Sequence, residues 1–285
     1  MESTLSEKMI EANGVHICTE SFGDPGDPAI LLIMGAMASM LWWDEEFCRR
    51  LAARKRFVVR YDNRDTGRSI TYEPGETRYT VNEMVDDALG VLDAYGIDRA
   101  HIVGMSLGGM LAQILALKAP ARVLTITMIA SSLFAERPDL PPMDAKVLAH
   151  HALSADIDWS DENAVVEFLV GGWRLLGGSA HTFDEVGTRR LATQEFRRAA
   201  NLLSMMNHAT LGGGEEWYDR FDEIAAPALV IHGTEDLVLP YEHGLALARE
   251  LEGATLLTLK GTGHEIPRDD WDTIIDAIVR HTVVH

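Results

Sequence analysis

Gly104-Met105-Ser106-Leu107-Gly108 stands where an apolar run, His101-Ile102-Val103, stops and a helical pattern, Met110 through Leu117, begins. A serine on a sharp strand-to-helix turn has its hydroxyl held clear of the backbone. The helix N-terminus beneath it favours developing negative charge. Glycines flank it because a Cβ two residues to either side would collide with the neighbouring strand and helix. The same five residues also fit a Gly-rich turn of a parallel sheet carrying an idle serine, so the rest of the chain must supply the partners a reactive serine needs.

Working outward, strand and helix alternate through both ends of the chain. Asn13-Gly14 joins two extended segments, Met9 to Ala12 and Val15 to Ser21, as a hairpin. Ala29-Ile30-Leu31-Leu32-Ile33-Met34 is a short continuous apolar run, suited to a strand covered on both faces. A helical stretch follows, with Trp43, Phe47 and Leu51 four apart. Phe57 to Tyr61 is the next strand, ending in the polar turn Asp62 to Ser69. Thr80-Val81-Asn82-Glu83 has capping-box form ahead of a helical stripe. Leu124 to Ile129, Ala228 to His232 and Ala254 to Leu259 are further strands, and Trp271, Ile274, Ile275 and Ile278 mark a closing helix. The expected fold is therefore α/β, a mostly parallel central sheet flanked by helices. Between 133 and 226 the pattern turns helical with no strand. Residues 133–226 are expected to form an inserted helical lid, with 1–132 and 227–285 as the core.

The chain has 285 residues and a formal net charge of −19, which argues against nucleic-acid binding because a phosphate backbone would be repelled. It has neither a transmembrane-length apolar stretch nor a signal-like start, and only two cysteines, Cys18 and Cys48. A cytoplasmic location without a disulfide framework is expected. No uninterrupted apolar surface can be located in the sequence, so it assigns no oligomeric state.

A serine nucleophile needs a base, and the base needs an orienting acid, both at the carboxyl ends of strands in an open α/β sheet. After Ala228 to His232 comes Gly233-Thr234-Glu235-Asp236, which makes Asp236 the acid, with Glu235 as the adjacent competitor; Asp222 precedes the strand. After Leu259 comes Lys260-Gly261-Thr262-Gly263-His264, which makes His264 the base. Of the other ten histidines, His101 begins a strand at the wrong end, and His281 and His285 lie on the closing helix and tail. His150 and His151 are neighbours that point different ways on a helix, so a solvated or lid-lining role is expected of them rather than a metal. The chain order Ser106, Asp236, His264 is that of one hydrolase class.

With those residues on view, the chain resembles the α/β-hydrolases along nearly its whole length. Ile33-Met34-Gly35-Ala36, Arg60 through Ser69 and Asp98 through Gly104 are similar to the aclacinomycin methylesterase group. The resemblance implies a serine ester hydrolase with no metal and no organic cofactor, acting on a small-molecule ester or lactone. Ser106 would be the nucleophile, His264 the base and Asp236 the orienter. The backbone N–H groups of Ala36 and Leu107 would form the oxyanion hole. Many relatives carry His-Gly where this chain has Met34-Gly35, so a side-chain hydrogen bond that steadies the loop is expected to be lost. Lactonase, carbon–carbon hydrolase and cofactor-free haloperoxidase or perhydrolase chemistry run on the same triad, and a non-catalytic ligand-binding role is the outside alternative. Met34, Met37, Met40, Met105 and Met110 cluster near the reacting positions, with Met205-Met206 in the lid. Thioethers adapt to varied apolar shapes. Met37, Trp42 and Met205 are the expected substrate contacts.

Overall fold

The computed structural model describes residues 7–283. Its core is one eight-stranded sheet in the order β1-β2-β4-β3-β5-β6-β7-β8. These strands are β1 (Lys8–Ala12), β2 (Val15–Phe22), β3 (Ala29–Ile33), β4 (Phe57–Tyr61), β5 (Ala100–Met105), β6 (Val123–Ile129), β7 (Ala228–Gly233) and β8 (Thr255–Leu259). The first two pair antiparallel, β2 joins β4 antiparallel, and every later pairing is parallel. At the hairpin, Asn13 and Gly14 both take positive φ, 49° and 73°, the pair of left-handed residues a tight two-residue turn needs.

Every residue of β3 is buried, as a strand covered on both faces requires. Leu31 and Ile33 point into one core with α2 (Val81–Ala94), α3 (Leu107–Lys118) and α7 (Tyr241–Glu250). Ile30 and Leu32 point into the other, with α1 (Glu45–Ala53) and α8 (Trp271–His281). The period-2 alternation of one strand thus feeds two helix layers. Thr80 and Glu83 form the capping box that opens α2. Trp43 departs from the expected helical register. Asp44 caps α1, so Trp43 precedes the helix, where its ring stacks on Phe47 in the second core.

Between β6 and β7 the described residues contain no strand. They carry α4 (Ala145–Ala152), α5 (Glu162–Leu176), α6 (Glu185–Arg198) and a long 3-10 helix, Leu202–Thr210. Val165, Val166, Leu169 and Val170 of α5 join Ala192, Leu202 and Met205 in a small apolar cluster of their own. Cys18 and Cys48 are both free and buried. Among the described residues no helix is long and apolar enough to cross a membrane.

Candidate active site

The sheet order places the chemistry. The chain runs from β3 outward to β4, then crosses back to β5 on the other side of β3, so loops leaving β3 and β5 diverge from a shared crevice. Ile33 pairs with Gly104, which brings the Gly35-Ala36 loop beside Ser106 despite the seventy positions between Ala36 and Ser106.

Ser106 lies between the last residue of β5 and the first of α3, at φ 52° and ψ −118°. A residue with a Cβ reaches that region only when its surroundings over-determine it. Here the Ser106 N–H donates to the Ile129 carbonyl of β6 at 2.9 Å, and Ser131 Oγ donates to the Ser106 carbonyl at 2.7 Å. Close packing does the rest. A Cβ on Gly104 would lie 2.1 Å from the Gly108 carbonyl oxygen, and one on Gly108 would lie 2.1 Å from that of Ile33. Among the described residues Ser106 Oγ makes no hydrogen bond, and the N–H groups of Ala36 and Leu107 have no acceptor.

Asp236 and His264 meet at the far side. Gly233 pairs with Leu259 at the ends of β7 and β8, and the next five residues fold back across β7. The Glu235 N–H donates to the Thr262 carbonyl at 2.9 Å, and the Gly261 N–H donates to Thr234 Oγ1 at 2.8 Å. A Cβ on Gly263 would meet the Leu176 carbonyl at 2.1 Å, while the His264 N–H donates to that same carbonyl at 2.8 Å. The C-terminus of α5 thus sets the height of the imidazole.

His264 Nδ1 lies 2.7 Å from Asp236 Oδ2, with both residues buried. The other carboxylate oxygen accepts from the Val238 and Leu239 N–H groups, each at 2.8 Å. Burial alone would raise the pKa of Asp236. The charge of His264 and hydrogen bonds from His232 and His264 outweigh it and hold the carboxyl well below the usual carboxylate range. Glu235, the competing acid, faces away: it accepts from the Ser179 N–H at 2.7 Å and from Ser179 Oγ at 2.6 Å. Asp222 stays exposed ahead of β7.

Ser106, His264 and the Ala36 loop line one cavity of about 520 Å³ beneath the helices that follow β6. Met37 and Met205 line it, as do Met34, Met105, Met110 and Met206; Met40, fully buried, does not. Trp42 lies elsewhere. It stacks on Trp173 at 4.0 Å and faces an adjoining cleft of about 330 Å³, so Trp173 rather than Trp42 reaches the Ser106 cavity. His150 stacks on Phe168 at 4.7 Å and bonds its carbonyl at 3.0 Å, a cavity-lining role. Among the described residues no group of three or more His, Cys, Asp or Glu side chains gathers as a metal site.

Where the hydrogen bond of the relatives' histidine is absent at Met34, three other side chains meet the loop. Asn63 Nδ2 donates to the Met34 carbonyl at 3.1 Å, Asp62 Oδ1 accepts from the Met40 N–H at 2.9 Å, and His208 Nδ1 accepts from the Met37 N–H at 2.9 Å. Other side chains therefore steady the loop. The turn Asp62 to Ser69 is their hub: Asp62 Oδ2 also pairs with Arg198 at 2.7 Å, and Arg64 forks onto Asp87 at 2.6 and 2.7 Å. His208 had no signal in the sequence, because its spacing to Met37 obeys no local period.

Residues 28–166 match the family described as alpha/beta hydrolase fold, and residues 213–281 match one described as TAP-like protein. Rhodomycin D methylesterase DauP of Streptomyces sp. (strain C5) is 34% identical, covering 98% of both chains. Rhodomycin D methylesterase DnrP of Streptomyces peucetius is 32% identical over the same shares. A solved 2-hydroxy-6-oxo-6-phenylhexa-2,4-dienoate hydrolase from Rhodococcus sp. strain RHA1 superposes with a TM-score of 0.76 at 25% identity, covering 98% of this chain and all of that one.

Proposed function

Since the chain belongs to the α/β-hydrolase family and is an ester hydrolase by its methylesterase relatives, we propose that it cleaves the methyl ester of an apolar, ring-sized acyl group through an acyl-enzyme. The observation that carries this is the buried Asp236–His264 pair at 2.7 Å, opening on the cavity that Ser106 lines.

In this reading Ser106 Oγ attacks the ester carbonyl carbon as His264 Nε2 takes its proton. Asp236 holds the imidazole with its other proton on Nδ1 and favours the imidazolium that forms. The carbonyl π pair moves onto oxygen, where the N–H groups of Ala36 and Leu107 hold it; each such donor is worth roughly 3 kcal/mol. Collapse expels methoxide, which takes the proton from His264 and leaves as methanol. Water then attacks the acyl-serine carbonyl as His264 takes its proton; collapse breaks the bond to Ser106 Oγ, which recovers that proton from His264 as the acid is released. The Met-lined wall supports an apolar acyl group, and a volume of this order suits a drug-sized molecule. Residues 133–226 act as the lid over it.

The test is methanol release from aryl and polycyclic methyl esters, beside p-nitrophenyl acetate and butyrate, with Ser106→Ala as control. Turnover that drops at least about a thousandfold in the variant is expected. No hydrolysis of any ester, together with no labelling of Ser106 by a fluorophosphonate, would overturn the proposal.

A further inference from the structure

The loop bearing the Ala36 N–H is anchored at its two ends by Asn63 and Asp62, on the sheet side. Its middle is held from the opposite side, by a residue of the inserted helices. His208, on the 3-10 helix Leu202–Thr210, is 7% exposed. Its Nδ1 accepts from the Met37 N–H at 2.9 Å, and its Nε2 meets the Arg64 carbonyl at 2.8 Å. A backbone N–H only donates and a carbonyl only accepts. The ring is therefore neutral, with its proton on Nε2. Burial pushes its pKa down, in keeping with that state.

Met37 itself is held at φ 60°, a sparsely populated conformation for a residue with a side chain. Gly35, two residues earlier, has no Cβ to resist rotation of its neighbours. Turning the Ala36–Met37 peptide plane would be taken up at Ala36 and passed to the Gly35–Ala36 plane, which carries the oxyanion donor. Something outside the loop must therefore fix the Met37 amide.

We infer that His208 is a positioning residue for the ester hydrolysis proposed above: by accepting from the Met37 N–H it fixes the direction of the Ala36 N–H toward the oxyanion. The inference rests on that reading of the site. It also couples the inserted helices to the transition state, since the Arg64–Asp65 turn takes hydrogen bonds from Ser204, Asn207 and His208 together. Displacing that 3-10 helix would release the donor loop.

Two substitutions separate the bonds of His208. In His208→Asn the amide oxygen stands near the place of Nδ1 and can accept from Met37, but the side chain is too short for Arg64. In His208→Gln the amide nitrogen stands near the place of Nε2 and can donate to Arg64, leaving the Met37 N–H without an acceptor. Steady-state kinetics on p-nitrophenyl acetate, with thermal melts of each protein, read the difference. Expected is a fall in kcat of about ten- to a hundredfold for His208→Gln with KM within about threefold, and recovery of most of kcat in His208→Asn. Equal kcat in the two variants, or a loss confined to KM, overturns the inference while leaving the ester reading intact. Should the wild type release no p-nitrophenol, the same kinetics are read on the aryl methyl esters; no hydrolysis of any ester together with no fluorophosphonate labelling defeats the ester reading, and this inference with it. Should a variant not fold, nitrogen-15 NMR of wild-type histidines decides: an unprotonated, hydrogen-bonded Nδ1 on His208 is expected, and a protonated one overturns the inference.

Discussion

Replacing Asp236 by asparagine should silence the enzyme without unfolding it, and the geometry says why. Oδ1 accepts from two backbone N–H groups, Val238 and Leu239, each at 2.8 Å. An amide at this position keeps its oxygen there, because the reverse orientation would set NH₂ against two donors and forfeit two hydrogen bonds, roughly 1–3 kcal/mol for each buried donor left unpaired. The NH₂ group then occupies the place of Oδ2, 2.7 Å from His264 Nδ1. Facing a donor, Nδ1 becomes the acceptor and the imidazole proton moves to Nε2, the nitrogen that takes the Ser106 proton in the proposed mechanism. A wrong tautomer of this kind costs about 10⁴ in kcat, or about 5 kcal/mol of barrier. The assay is the burst and steady-state release of p-nitrophenol near neutral pH, with circular dichroism melts as the folding control. A folded Asp236→Asn protein that retains more than about a tenth of wild-type kcat would refute the assigned roles of both residues. The same substitution has a pH signature. Because the folded carboxyl is held below its unfolded value of about 3.9, its stabilisation is complete above that pH and is lost as pH falls through the folded value. The acid limb of the wild-type stability curve should therefore be steeper than that of the variant.

Gly108→Ala should lower the melting temperature, since its Cβ would stand 2.1 Å from the Ile33 carbonyl oxygen, a backbone atom; about 1–3 kcal/mol is expected from urea titration. Gly212→Ala, with open space around its Cβ, should stay within about 0.5 kcal/mol, and equal losses at the two sites would sink the packing argument. Glu195, buried beneath Ser39, has its pKa pushed up to about 7, first by burial and further by the charge of Asp62. Its folded value exceeds its unfolded one, so its contribution is full below about pH 4.5 and is lost as pH rises through about 7. Urea titrations at about pH 5 and about pH 9 should show a wild-type loss, of up to roughly 3 kcal/mol from this group, that Glu195→Gln lacks. An unchanged difference in the variant would remove Glu195 as its source.

Features that depend on a few neighbouring residues could be read from the chain. Asn13-Gly14 sets a hairpin because both residues tolerate positive φ, and Thr80 with Glu83 caps a helix through bonds within one turn. The Ser106 turn is local in the same sense, although what its glycines avoid is a neighbouring strand as well as the helix. Asp236 and His264 could be chosen because each follows a strand by a short glycine-bearing turn, and parallel strands discharge their loops at one end of the sheet. The register of Trp43 could not be read, because Asp44 competes for the helix start and a four-residue spacing does not say where a cap falls. Which side chains support the Ala36 loop was equally hidden. The bond from Met37 to His208 spans 171 positions, and no periodicity carries information across such a distance. Trp42 was directed away from Ser106 by its stack on Trp173, a partner supplied by a helix from elsewhere in the chain. Sequence alone determined the order of strands and helices and the identity of the groups at strand ends, since turn chemistry and burial period act over a few residues. Tertiary structure decided which groups touch, because contact between distant segments is settled by sheet order and packing.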